Sequence, residues 1–210
     1  MNASRQEDLP RLLKVAFWVS MLTIFYHLLA GTIAVYYGLA DDTLALFGFG
    51  IASLVEVLSG IGIAYTLNRW QQQDKITTLD RFEAQVQQLT GLSFYLLSLG
   101  IFTSALLALY VGEQPDTTEV GIILAGPSLI FLFFLTRYQR QLNETLASDL
   151  PLWDARYSRT SLVLAGLLLL SSILYHVFGL PNVDAFGSLV IAWVAARAGR
   201  FAFAKAKSLS

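Results

Sequence analysis

One carboxylate stands near the middle of a long apolar run in this chain. The stretch Leu44–Leu67, LALFGFGIASLVEVLSGIGIAYTL, is long and apolar enough to cross a bilayer as a helix, and Glu56 sits near its middle. Of the fifteen acidic residues, Glu56 is the only one placed deep in such a run. An acid at that depth is costly and normally faces a bundle interior or a wet cavity. Its chemistry would be to bind a cation or exchange a proton; the bland alternative is a protonated carboxyl hydrogen-bonded to a neighbouring helix. His27, in FYHLLAG, also falls mid-span. A neutral imidazole there could hold a metal or relay a proton, or simply bond two helices. Asp154 opens a later span in WDARYSRTS, close to Arg156 and Arg159; it is either a ligand or an interface residue favoured by the helix dipole. Asp184 starts the last span and is expected to cap it. His176, near an outer loop, is expected at the surface. Asp41 and Asp42 are expected in a solvated turn.

Other chemistries lack their residues. There is no cysteine, hence no disulfide, iron–sulfur site or thiolate ligand, and a Cu(I) site is disfavoured. HExxH, Walker, GxGxxG and GxSxG patterns are all missing from the sequence. No enzyme and no permanently bound cofactor is expected. The net charge of −1 argues against a nucleic-acid partner.

The elements that must position these residues are membrane spans. The chain is 55% hydrophobic and 14% charged, where soluble domains carry about 25% charge. Six spans are expected, over about Leu12–Leu39, Thr43–Leu67, Leu89–Val111, Val120–Tyr138, Trp153–Phe178 and Val183–Phe203, making an all-α six-helix bundle in the lipid bilayer. The polar stretch Asn68–Gln88 is expected to extend the third helix out of the membrane. Small residues in the second span, Gly48, Gly50, Ser53, Ser59 and Gly60, would let helices approach closely. All fourteen basic residues fall on one side of the expected membrane. The positive-inside rule makes that side the cytoplasm, with both termini inside. The first span is too long for a signal segment and is expected to be retained. Only AKAKSLS follows the last span, so a single transmembrane domain over 1–210, with no soluble domain, is expected in a bacterial inner (plasma) membrane.

Several stretches together resemble the transmembrane domain of the cation diffusion facilitator (cation efflux) family, in a short six-span branch without the cytosolic C-terminal domain. They are LALFGFGIASLVEVLSG, QQLTGLSFYLLSLGIFTSALLAL, VGIILAGPSLIFLF and LWDARYSRTSLVLAGLLLLSSILYHVFGLPNVDAFGSLVIAW. The resemblance implies export of a divalent ion such as zinc or manganese in exchange for protons, often by a homodimer. It implies an ion site between spans 2 and 5, with two ligands four residues apart on each. Those positions hold Ala52 and Glu56 in span 2, and Tyr157 and Ser161 in span 5. The candidate metal-binding residues are therefore Glu56, Ser161, His27 and Asp154. Three readings follow: a less demanding cation carried on Glu56, Ser161, Ser53 and water; a site shifted to include His27 or Asp154; or a non-transporting binding or regulatory protein that keeps the fold.

Overall fold

A backbone surrounded by acyl chains can satisfy its N–H and C=O groups only within itself, so long apolar runs become helices. The computed structural model describes residues 3–71, 79–112, 114–115, 118–146, 155–180 and 182–208. Among them lie six helices: α1 (Ala3–Ala40), α2 (Leu44–Gln71), α3 (Leu79–Val111), α4 (Glu119–Leu146), α5 (Ala155–Phe178) and α6 (Val183–Ser208). Each is long and apolar enough to cross a membrane. The protein is an all-α, six-span integral membrane protein.

All the helices but α5 outrun the expected spans, because an apolar window measures hydrocarbon thickness and not helix length. α3 starts at Leu79, as the polar stretch before it suggested. α4 continues to Leu146, past the expected end of its span at Tyr138, so Gln139 is helical. The segment QRQLNETL is rich in good helix formers, and Arg140 pairs with Glu144 one turn on, at 2.9 Å. Trp153 and Asp154, expected in span 5, lie outside the described residues. Gly112 and Gly179 end α3 and α5 at φ +78° and +58°, the left-handed conformation that suits glycine after a helix.

The helices alternate in direction. At one end the start of α2 bonds to the start of α6 through Asp184, and Thr118, just before α4, donates to the Ser172 carbonyl near the end of α5. At the other, Lys205 near the end of α6 pairs with Glu83 near the start of α3 at 3.1 Å. Basic residues crowd this second end, called the basic end below. α2 packs against α1, α3, α5 and α6 and is the most enclosed helix. Large apolar side chains such as Trp18, Phe25, Leu99 and Phe134 point outward, where lipid covers them.

Two helix pairs are unusually close. Between α1 and α2, a Cβ on Gly38 would stand 2.5 Å from the Phe47 nitrogen, and one on Gly50 would stand 2.7 Å from the Val35 nitrogen. Backbone cannot yield as a flexible side chain does. Gly38→Ala is therefore expected to destabilise the bundle by roughly 1–3 kcal/mol. Gly100→Ala, with nothing within 4 Å, is expected to be neutral or stabilising by up to about 1 kcal/mol. Thermal unfolding of both variants in detergent checks the contrast. Between α3 and α6, a Cβ on Gly199 would lie 3.0 Å from the Gly91 carbonyl oxygen, and Tyr95 stacks on Phe203.

Candidate cation site

Three of the helices bring a stripe of polar residues to one internal chamber. α1 contributes Ser20, Thr23 and His27; α2 contributes Glu56, Ser59, Gly60 and Ile63; α4 contributes Leu132, Leu135, Thr136 and Gln139. Each set recurs at three- and four-residue steps, the spacing that keeps side chains on one helix face. Ser161 of α5 closes the chamber. Its volume is about 50 Å³. A water needs roughly 10–15 Å³ of such space, so an ion with a small number of waters fits.

Glu56 is buried at the deep end of this chamber. Its Oε2 accepts a hydrogen bond from Ser161 Oγ at 2.5 Å and lies 3.2 Å from His27 Nε2. Both partners converge on the same oxygen. Glu56 Oε1 and His27 Nδ1 are buried with no hydrogen-bond partner among the described residues. Each therefore keeps a lone pair or a proton uncommitted. Nearer the basic end, Gln139 donates to Thr23 Oγ1 at 2.9 Å, joining α4 to α1.

The polar lining lies on the basic-end side of Glu56. In the other direction along α2, Ala52, Phe49 and Leu46 are almost fully buried, and Leu164, Ala165 and Leu168 on α5 are equally enclosed. The acid thus faces a small polar-lined space on one side and an apolar plug on the other.

The structure joins Glu56, His27 and Ser161 across α2, α1 and α5. Asp154 and the side chain of Tyr157 lie outside what is described. Ser53 is buried but does not line the chamber; Ser59, assigned above only to packing, does. His176 is exposed, as expected. Asp184 does not cap its own helix: it accepts from the Leu44 and Ala45 amides at 2.8 and 3.2 Å and so caps α2. Thr23, Thr136 and Gln139 were not anticipated. Their signal was present in the four-residue spacing of Thr23 to His27 and in the run Leu132, Leu135, Thr136, Gln139.

Among the described residues, no three His, Cys, Asp or Glu side chains cluster as a metal cage. The strong donors are one carboxylate and one imidazole, with hydroxyls, an amide and water to complete a shell. Ser161→Ala would remove the donor that fixes Glu56. Hydrogen bonds to charged groups are worth roughly 1.5–3 kcal/mol, so apparent cation affinity is expected to shift at least about tenfold. Isothermal titration of wild type and variant with Mn²⁺ checks this, and equal affinities would show that Ser161 does not orient the acid.

A model of the cation efflux transmembrane domain matches residues 13–209. An uncharacterized transporter of Methanocaldococcus jannaschii is 24% identical over 180 residues, covering 84% of this chain. The match spans 63% of that relative's length.

Proposed function

This chain belongs to the cation efflux family, and from that premise we propose that it moves a divalent metal cation across the bilayer in exchange for protons, at Glu56. The observation that carries the reading is the meeting of Glu56, His27 and Ser161 in a polar chamber inside an otherwise apolar bundle. A carboxylate and an imidazole bind a cation only when deprotonated, so ion and proton compete for the same atoms. Loading the ion releases a proton, and protonation expels the ion; that competition couples the two flows.

The donor set narrows the cargo. Closed zinc sites use four strong nitrogen, sulfur or carboxylate ligands. Here two such donors are joined by hydroxyls and water, a set better suited to an ion that tolerates oxygen and retained water, such as Mn²⁺. The basic end is read as cytoplasmic, so the chamber is offered to the cytoplasm and the plug of Ala52, Phe49 and Leu46 separates it from the far side.

A second reading is favoured by one specific observation: Ala52, at a position where the resemblance implies a ligand, is fully enclosed. On that reading the chain is a non-transporting binding or regulatory protein. Proteoliposomes with an internal pH dye separate the two. Transport predicts Mn²⁺ entry down its gradient with matching proton exit. Flux equal to that of empty vesicles would reject transport and leave the second reading.

A further inference from the structure

A groove on the lipid-facing side of the bundle carries a charge that the site does not use. It lies between α5 and α6 and has a volume of about 990 Å³. Arg159 of α5 and Arg197 and Arg200 of α6 line it, and among the described residues no Asp or Glu does. All three arginines are exposed. Arg197 and Arg200 are three residues apart and share a helix face. The antiparallel run of the two helices brings Arg159, near the start of α5, to their level. Arg197 also lies over the Trp193 ring, 5.6 Å from its centre. Val163 and Val194 supply apolar wall.

We infer that this groove binds the anionic headgroup of a phospholipid of the leaflet at the basic end, of the phosphatidylglycerol class. Depth is the first argument. Arg197 stands eleven residues before the end of α6, about 16 Å at roughly 1.5 Å per residue. A guanidinium there reaches toward the interface while its stem stays in hydrocarbon. An anion with acyl chains meets both surroundings at once: phosphate oxygens accept from the arginines in paired bonds, and the chains lie against Val163, Val194 and Trp193. Basic pockets between spans are a form that anionic lipid headgroups recognise. Charge complementarity is the second argument, and it disfavours a second copy. A symmetric partner would present the same arginines, and two acids toward the basic end are already engaged, Glu83 with Lys205 and Glu144 with Arg140.

The full chain, purified in detergent, is titrated with phosphatidylglycerol or phosphatidylcholine and followed by native mass spectrometry. Wild type is expected to bind the anionic lipid preferentially. Each arginine near an anionic headgroup is worth roughly fivefold in affinity, so Arg197→Gln with Arg200→Gln is expected to weaken phosphatidylglycerol binding about 25-fold. Arg140→Gln on α4 should leave it unchanged. Should the double variant fail to fold, Arg159→Gln on α5 carries the same test with a smaller loss. Equal binding of the two lipids, or undiminished binding in the variants, would overturn the inference. So would displacement of the lipid by inorganic phosphate alone at matched concentration. Disulfide formation between copies at Trp193→Cys, with equal yield in either lipid, would give the groove to a second copy instead.

Discussion

Vesicles carrying Glu56→Gln are expected to show no Mn²⁺ entry above empty vesicles and no proton counterflow. The substitution nearly preserves shape, and the amide oxygen can still accept from Ser161. What it removes is the negative charge and the site of protonation. Among the described residues His27 is then the one strong donor left in the chamber, and a single imidazole with hydroxyls holds a divalent ion poorly. Changes to groups that merely orient a metal's ligands cost roughly 10–100-fold, so loss of the ligand itself should cost at least about 100-fold. Ser161→Ala should therefore be the milder variant. Wild-type flux in Glu56→Gln would remove the acid from the mechanism, and the chamber would then be a hydrogen-bonded junction of helices.

Asp184→Ala is expected to lower the unfolding free energy by about 2–3 kcal/mol. The carboxylate is buried and accepts the two amides at the start of α2. Losing a helix cap costs roughly 0.5–2 kcal/mol, and a hydrogen bond to a charged group about 1.5–3 kcal/mol. The alanine leaves both amides without their acceptor. Asp184→Asn keeps one carbonyl oxygen and should lose about half as much. Denaturant unfolding in mixed micelles measures both. An unchanged midpoint for the alanine variant would mean that the cap is dispensable. The cap also fixes where α2 begins, twelve residues before Glu56, a distance of about 18 Å along the helix. Weakening it should loosen the placement of the acid as well as the fold.

The contrast between Glu56 and Asp184 shows what a chain of letters reveals. A lone carboxylate in an apolar run announces itself through composition, because the bilayer penalises it wherever it points. Six spans are equally plain, since nothing except a helix or a closed barrel solves the backbone problem in lipid. Asp184 lies beside a helix start, and local rules assign it to that helix. Its real partner is 140 residues away, a pairing that no local rule contains. His27 could be located in depth but not in azimuth, so whether it faced Glu56 depended on how α1 rolls against α2. That roll is set by Gly38 and Gly50 meeting backbone, which spacing alone does not orient. Gln139 was hidden for another reason. It lies where hydropathy falls, and a polar residue at the end of a span looks like the start of a loop unless the helix is followed past the hydrocarbon edge.

Among the described residues, the close α3–α6 pair supplies none to the chamber. Its glycine contacts, stacked rings and Lys205–Glu83 pair make it a buttress, while the described residues of the proposed cation site lie on α1, α2, α4 and α5. Lesions in the buttress should reduce how much intact protein a membrane holds and leave turnover per surviving molecule untouched. Lesions around Glu56 should do the reverse.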